Sequence, residues 1–280
     1  MTERSLLYVP ADQPAKLAKA LGRGADGIIV DLEDGVAPAA KTAAREAAVA
    51  WLTGLDAAFE GGPSVWVRVN AGADREPDLF AVGALPAVTG VVLAKTETAA
   101  ELVDVDRLLT TAGSRARVCP LIESASGVLA LAALAVAPRV SRLLVGEADL
   151  SAELGVRLGD DERELLWVRS QLVLVSAAQR LDPPLGPVSV DFRDLDRLRT
   201  SSEALRRLGF AGRSCIHPAQ VGVVNDAFTP SVAEAAAAAA VVRAFDAAGG
   251  GVLVGEDGRM VDEAVVRQAR RVLSAGRAGE

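Results

Sequence analysis

The chain has 280 residues and a formal net charge of −7, and half of its residues are apolar while only 4% are aromatic. This length suits one large α/β domain or two small ones. The acidic balance argues against non-specific binding to nucleic acid or to a membrane surface. We find no run of about 18 apolar residues, no secretory signal and no disulfide framework, so we expect a cytoplasmic protein without a membrane span.

Short apolar runs alternate along the chain with segments of helical spacing. Continuous apolar runs are typical of strands that are buried on both faces, as in parallel sheets. The predicted strands are Ser5–Val9, Gly27–Leu32, Ser64–Val69, Gly90–Ala94, Arg117–Ile122, Ser141–Val145, Pro187–Val190 and Arg213–Ile216. The predicted helices include Pro38–Leu52, Ala99–Thr111, Leu129–Ala137, Glu162–Arg180 and Asp194–Leu208.

Eight strand–helix repeats predict an α/β protein built as a (β/α)8 TIM barrel, and a doubly wound open sheet is the competing arrangement. After Gln220 the pattern changes to a helix over Ser231–Ala247, a hairpin that turns at Glu256–Gly258, and a last helix from about Glu263. We therefore predict a barrel domain over residues 1–230. A helix–hairpin–helix extension over residues 231–280 is expected to contact a neighbouring subunit or cover the barrel mouth.

Polar side chains follow nearly every predicted strand. The active site of such a barrel lies at the carboxyl ends of its strands. The residues found there are Asp31, Glu33, Asp34, Arg68, Asn70, Lys95, Glu123, Glu147, Asp149, Asp191 and His217. Folding alone would not require so many polar groups at one rim, because burying them without partners is costly. The pattern therefore predicts a functional site.

Glu123 and Asp149 are the clearest pair at this rim, since each comes just after an apolar run on adjacent predicted strands. Mg²⁺ is typically held by one or two carboxylates together with substrate oxygens and water. The two residues are therefore candidate metal ligands. Their alternative role is to cap the helices that follow them.

Two cationic side chains allow more than one interpretation. Arg68 lies on a strand between Val67 and Val69, and its guanidinium can grip a carboxylate or a developing oxyanion in two-point fashion. Its alternative is an internal ion pair with Asp31 or Glu33. Lys95 could form a Schiff base, although a carboxylate pair makes that unnecessary. The only histidine of the chain, His217, is more simply a structural residue than a base.

The chain resembles the citrate lyase β-subunit-like proteins within the HpcH/HpaI aldolase group. The motifs that carry the resemblance span nearly the whole chain in the family's order: RSLLYVPADQPAKLAKA, DLEDGVAPAAKTAAR, VRVNA, LAKTE, PLIESASGVL, VGEADLSAELG, GFAGRSCIHPAQVGVVNDAFTPS and DGRMVDEAV. The combination is specific, whereas any one of these pieces alone would be weak.

The resemblance implies a homotrimeric (β/α)8 barrel with one Mg²⁺ that cleaves a carbon–carbon bond in a hydroxy-carboxyacyl thioester of coenzyme A or of a carrier protein. It implies that Glu123 and Asp149 bind the metal, with Glu123 also close to the substrate. Arg68 would contact the oxo acid and the thioester oxygen, and Asp262 would act as an acid or base brought from the neighbouring subunit. Glu33, Asp34 and Lys41 would form a network behind the metal.

Three positions depart from the family pattern. The family commonly has a glutamate directly before the metal aspartate, whereas here Glu147 is separated from Asp149 by Ala148. Glu147 is thus a candidate outer residue of the metal site. Ala94 replaces the usual proline before Lys95, and Gly186 stands where an aspartate is common. These changes bear on the substrate more than on the reaction class.

The expected substrate is a malyl-, citramalyl- or citryl-type thioester, which would be cleaved reversibly to a 2-oxo acid and an acetyl thioester. Asp262 would move a proton at the acetyl carbon, but it precedes a helix and is also a candidate N-cap. Two alternatives remain: a metal-dependent oxo-acid aldolase that uses no thioester, and a non-catalytic or carrier-binding subunit of a lyase complex. Lys16, Lys19, Arg23 and Lys41 are candidates for a local anion-binding patch.

Overall fold

The structure is a computed structural model that describes residues 3–55, 61–255 and 258–276. These residues form two compact units, one over residues 3–225 and the other from residue 226 onward. None of the described helices is both long and apolar enough to cross a membrane.

The first unit is built on eight parallel strands that close into a barrel in sequential order. The strands are β1 (Ser5–Pro10), β2 (Gly27–Asp31), β3 (Ser64–Val69), β4 (Gly90–Leu93), β5 (Arg117–Ile122), β6 (Leu144–Val145), β7 (Leu185–Gly186) and β8 (Gly212–Cys215). The closed barrel confirms the predicted TIM-barrel fold. Pro120 lies inside β5, opposite Leu93 of β4, without ending the strand.

Helices follow the strands around the barrel. They are α1 (Pro14–Ala20), α2 (Lys41–Thr53), α3 (Arg75–Val82), α4 (Ala99–Thr111), α5 (Ala125–Leu129), α6 (Leu131–Ala135), α7 (Glu147–Leu154), α8 (Leu166–Ala178), α9 (Leu195–Leu208) and α10 (Pro218–Phe228). The N-terminus of α4 is fixed by a capping box that Thr98 and Glu101 form. Thr98 accepts a hydrogen bond from the amide of Glu101, whose side chain accepts one from the amide of Thr98.

The interior of the barrel is apolar in its middle and polar at one end. Its core consists of Leu6, Ile29, Trp66, Val92, Cys119, Leu121, Leu144 and Leu185, with Tyr8 packed against it. Side chains alternate along a strand, so Asp31 points to the same side of β2 as Ile29, and Arg68 to the same side of β3 as Trp66. Asp31 and Arg68 are direct neighbours in the β2–β3 register.

The seventh strand is where the prediction is wrong. It covers Leu185–Gly186 rather than Pro187–Val190. Pro187 has no amide hydrogen to donate to the ladder, which accounts for the early end of the strand. Asp191 consequently lies in an exposed turn, where its side chain accepts hydrogen bonds from the amides of Arg193 and Asp194.

Other boundaries shift by less. The predicted helix over Leu129–Ala137 corresponds to α6, and a separate short helix, α5, precedes it and ends at Leu129. The prediction of strand six over Ser141–Val145 extended three residues too far toward the N-terminus, since β6 begins at Leu144.

The second unit contains α11 (Val232–Ala247), an antiparallel pair of β9 (Leu253–Val254) and β10 (Met260–Val261), and α12 (Glu263–Gly276). This is the predicted order of helix, hairpin and helix. Phe245, Val261 and Val266 form its small apolar core. Glu256 and Asp257 of the predicted turn lie outside the described residues, and the predicted contact of this unit with a neighbouring subunit stays a prediction.

Candidate active site

A cavity of about 340 Å³ opens where the carboxyl ends of the barrel strands meet. Its polar wall is acidic. The lining residues that carry charge are Asp31, Asp34, Arg68, Glu123, Glu147 and Asp149. Tyr8, Leu121, Leu144, Val188 and Ser214 belong to the remainder of the wall. The predicted rim residues Glu123, Asp149 and Arg68 thus share one cavity.

Glu123 directly follows β5 and is buried, with 6% of its surface exposed. Its Oε1 atom accepts a hydrogen bond of 2.7 Å from the backbone amide of Lys95. Lys95 has a φ of 52°, an unusual left-handed conformation for a residue other than glycine. The turn after β4 therefore aims a backbone amide at Glu123, and this strained residue could not be predicted from the sequence.

Glycine at position 146 leaves room for Glu123. A Cβ atom on Gly146 would lie 2.7 Å from Cβ and 2.8 Å from Oε2 of Glu123. Real Cβ atoms essentially never approach so closely, so a larger residue here would displace the carboxylate. Gly146 ends the strand region of β6, and its amide donates to the carbonyl oxygen of Ile122.

The environment of Glu123 disfavours its charged form. Burial is the main cause that raises the pKa of this carboxyl to about 7, and the nearby carboxylates Glu33 and Asp149 raise it further. The amide of Lys95 and the charge of Arg68 act in the opposite direction. The charged form of such a carboxyl group is stabilised when it and a neighbouring carboxylate bind the same cation.

Asp149 is exposed and lies in the first turn of α7, on the same cavity as Glu123. The capping alternative fails for both residues. The N-cap of α7 is Gly146, and the N-cap of α5 is Ser124, whose hydroxyl accepts from the amide of Gly127. Neither carboxylate is therefore needed to start a helix.

This donor set fits a hard divalent cation. Within the described part of the chain, no group of three or more His, Cys, Asp and Glu side chains could hold a metal ion. Glu123 and Asp149 would supply two carboxylate oxygens and leave the other positions to water and substrate. That is the usual mode of Mg²⁺ binding and does not suit a closed structural zinc site.

Arg68 makes the ion pairs that the sequence offered as its alternative role. Its Nε and Nη2 atoms each donate to one oxygen of Asp31 at 2.7 Å, and its Nη1 atom lies 3.0 Å from Oε2 of Glu33. The guanidinium also lies over the ring of Tyr8, 4.9 Å from its centre. These contacts leave further N–H groups of the fork for a ligand in the cavity.

The DLED segment, which begins with the last residue of β2, organises the rest of the rim. The ammonium of Lys95 donates to Oε1 of Glu33 at 2.7 Å and lies 3.5 Å from Oδ1 of Asp34. The hydrogen bond to Glu33 raises the pKa of Lys95. A lysine held as an ammonium in this way is unsuited to the Schiff-base alternative.

Lys41 acts from behind the same segment. Its ammonium donates to the carbonyl oxygens of Leu32 and Glu33 at 2.8 and 2.6 Å. Asp31 completes the support, since its two oxygens accept from the amides of Glu33 and Gly35. Asp31 thereby holds both Arg68 and the loop, a role that its sequence position did not distinguish from that of Glu33.

Glu147 touches the cavity but is engaged elsewhere. Both of its oxygens accept hydrogen bonds of 2.6 Å from Arg169 of α8, which also pairs with Glu162 at 2.9 Å. Glu147 and Arg169 are both buried. The one-residue shift relative to the family pattern thus leaves this acid in a buried ion pair at the edge of the cavity that Glu123 and Asp149 line.

Asp262 and His217 adopt the roles that the sequence offered as simple alternatives. Oδ1 of Asp262 accepts from the amides of Ala264 and Val265, which makes Asp262 an N-cap of α12. His217 accepts from the amide of Ala219 through Nδ1 and stacks on Phe192 with ring centres 4.7 Å apart. The catalytic role of Asp262 stays a prediction.

A second cavity of about 380 Å³ lies beside the first. Both share Tyr8, Pro10 and Ile216 in their walls. Lys16, Lys19 and Arg23, three of the four predicted anion-binding residues, line this second cavity, whereas Lys41 does not. A polar chain with anionic groups could therefore extend from the acidic cavity into a basic one.

A closed barrel with two convergent carboxylates, an arginine and an adjoining basic cavity is typical of a metal-assisted enzyme of the (β/α)8 class. The sequence matches the HpcH/HpaI aldolase/citrate lyase family over residues 4–218. The chain belongs to this family, which confirms the resemblance inferred from the motifs.

Individual relatives cover almost the whole chain. A (3S)-malyl-CoA thioesterase of Cereibacter sphaeroides is 36% identical over 98% of this chain and 95% of the relative. A citrate lyase subunit beta-like protein of Mycobacterium tuberculosis is 36% identical over the same shares. The crystal structure of the M. tuberculosis protein CitE with magnesium, acetoacetate and coenzyme A matches with a TM-score of 0.81 and 32% identity, covering 98% of each chain.

Proposed function

We propose that the chain is a Mg²⁺-dependent carbon–carbon lyase that cleaves a hydroxy-carboxyacyl thioester to a 2-oxo acid and an acetyl thioester. The observation that carries this proposal is the placement of Glu123 and Asp149 in one cavity with Arg68. The family relationship supports the reaction class. Malyl-, citramalyl- and citryl-type thioesters all carry the required hydroxyl and carboxylate groups.

Each residue of the site would have its own role in the proposed reaction. Glu123 and Asp149 would hold Mg²⁺, which when bound supplies Lewis-acid polarisation of oxygen atoms on the substrate. Arg68 would donate its remaining N–H groups to the carboxylate and the thioester oxygen, where charge develops. Its bonds to Asp31 and Glu33 would keep the guanidinium fixed before the substrate arrives.

The proton at the acetyl carbon needs a separate group. Asp262 of a neighbouring subunit would transfer it in a homotrimer, as the family resemblance implies. On α8 the apolar side chains Leu166, Trp167 and Leu174 are exposed, which supports association with another chain. A molar mass of one chain by light scattering at assay concentration would contradict the oligomer.

The acyl handle would occupy the second cavity. Coenzyme A carries phosphates, and Lys16, Lys19 and Arg23 offer complementary charges along one wall. Lys16→Ala with Lys19→Ala should raise KM for a coenzyme A thioester about tenfold or more while kcat changes little. Arg107→Ala, which removes an exposed cation from α4, serves as the control. Equal KM values would favour a carrier protein as the acyl handle.

Thioester hydrolysis is a second candidate, because relatives at 36% identity are named (3S)-malyl-CoA thioesterases. The products separate the two reactions. The lyase releases a 2-oxo acid with the thioester intact, whereas hydrolysis releases a free thiol and a hydroxy acid. Incubating the purified chain with malyl-CoA and following glyoxylate and free thiol together would decide between them, and neither product would favour a non-catalytic subunit.

The metal requirement is tested on the same substrate. A chelator should abolish turnover and added Mg²⁺ should restore it. Asp149→Asn should lose most of the activity, whereas Glu153→Gln, one turn further along α7 and outside the cavity lining, should retain it. Turnover that resists the chelator would contradict the proposal. The cytoplasmic location stays a prediction that the two free, buried cysteines suit.

A further inference from the structure

Tyr8 lies where the acidic cavity and the basic cavity meet. Three of the described residues line both cavities, namely Tyr8, Pro10 and Ile216. The side chains of proline and isoleucine carry no hydrogen-bonding group. Tyr8 is therefore the one side-chain donor in this shared wall among the residues that the structure describes.

The ring of Tyr8 is held in place by its neighbours. Tyr8 follows Leu6 by two residues on β1, so both side chains point into the barrel. The ring packs against the apolar core below the rim, and the guanidinium of Arg68 lies 4.9 Å from the ring centre. These contacts fix the ring at the junction of the cavities while part of the side chain stays exposed.

The hydroxyl group of Tyr8 is available to a ligand. No residue in the described ranges of the chain forms a hydrogen bond with it, and its oxygen is not one of the fully buried, unpartnered polar atoms. A phenol ordinarily keeps its proton near neutral pH, and burial raises the pKa of Tyr8 further. The group is thus a donor that has accessible surface and no acceptor from the protein.

The proposed substrate places one oxygen atom at this junction. Its hydroxyl and carboxylate groups lie in the acidic cavity, and the acyl handle lies in the basic cavity. The thioester group that joins these two parts must then pass the shared wall. When the carbon–carbon bond breaks, its electron pair passes to the acetyl half and negative charge develops on the thioester oxygen. A donor that is already fixed beside this oxygen stabilises the charge as it forms.

We propose that Tyr8 is a catalytic residue whose hydroxyl donates a hydrogen bond to the thioester oxygen, beside the N–H groups of Arg68. The phenol keeps its proton throughout, so the proposed roles of the other residues do not change. This inference rests on the proposed function, because it assumes that a thioester extends across both cavities.

Tyr8→Phe removes the hydroxyl and keeps the ring that packs on Arg68. With malyl-CoA as substrate, kcat for glyoxylate release should fall about 100-fold, the usual loss for one donor to a developing oxyanion. KM should stay within about twofold, because the hydrogen bond becomes strong only as charge develops on the oxygen.

Binding tests the same contact without turnover. Calorimetric titration in saturating Mg²⁺ would compare acetyl-CoA with S-ethyl coenzyme A, a thioether that lacks the carbonyl oxygen. Tyr8→Phe should weaken acetyl-CoA about fivefold, the value of one hydrogen bond, and change S-ethyl coenzyme A less than about twofold. Ser176→Ala is the control, because it removes a buried hydroxyl of α8 that lines neither cavity. It should leave kcat and both affinities unchanged.

The outcomes separate the inference from the proposed function. Turnover by Tyr8→Phe within about threefold of the wild type, or equal losses of affinity for the two coenzyme A compounds, would overturn the role of Tyr8 and leave the proposed function standing. A clear loss of thermal stability in ligand-free Tyr8→Phe would assign the hydroxyl to folding and would also overturn that role. Failure of the wild type to release an oxo acid from malyl-, citramalyl- or citryl-CoA would overturn both.

Discussion

A substitution at Gly146 would displace Glu123, the proposed metal ligand, without changing its carboxylate. In Gly146→Ala the new Cβ atom would start 2.7 Å from Cβ and 2.8 Å from Oε2 of Glu123. The first contact is with an atom next to the backbone, so Glu123 or its strand must shift. Misplaced support around a metal typically costs 10- to 100-fold in affinity, so we expect Mg²⁺ binding to weaken by about 30-fold.

This change has a measurable effect on stability. Mg²⁺ at 100 times its dissociation constant stabilises the wild type by about 2.7 kcal/mol, and about 30-fold weaker binding leaves about 0.9 kcal/mol at the same concentration. Thermal unfolding with and without Mg²⁺, together with calorimetric titration, would measure both. Gly222→Ala is the control, because a Cβ there meets no atom within 4 Å. An unchanged Mg²⁺ affinity in Gly146→Ala would refute the assignment of Glu123 as a ligand.

Three further predictions follow from the same site. Glu123 must lose its proton to bind the metal, and its pKa is raised to about 7. Mg²⁺ affinity should therefore fall about tenfold per pH unit below pH 7 and level off above it. A flat profile between pH 5.5 and 7 in calorimetric titrations would contradict this. Arg169→Met should lower the free energy of unfolding in urea by about 3–5 kcal/mol because it strands the buried carboxylate of Glu147, and a loss below about 1 kcal/mol would disagree. Asp262→Asn should keep its helix cap and normal stability but lose turnover; full activity would leave the cap as its role.

The barrel could be predicted from the sequence because local secondary-structure preferences agree with the overall fold in most of the chain. The apolar runs of β3 and β5 and the capped helix α4 have the predicted bounds. Disagreement arises where the strands are shortest. Only two residues of β7 pair in the barrel, and apolar residues beyond Pro187 continue a pattern that the ladder cannot follow.

The sequence predicted which residues belong to the candidate site better than it predicted their contacts. The active site of a (β/α)8 barrel lies at the carboxyl ends of its strands, so the sequence alone predicted that Glu123, Asp149 and Arg68 lie together. No spacing could reveal that Arg169, 22 residues after Glu147, would take both oxygens of that acid.

The central claim is that Glu123 and Asp149 bind one divalent cation. Crystals of the chain soaked in Mn²⁺, a stand-in for Mg²⁺ with a strong anomalous signal, would test it most directly. We predict a single anomalous peak within about 2.2 Å of one oxygen from each carboxylate. A well-ordered cavity without that peak, or a peak bound by other residues, would contradict the claim.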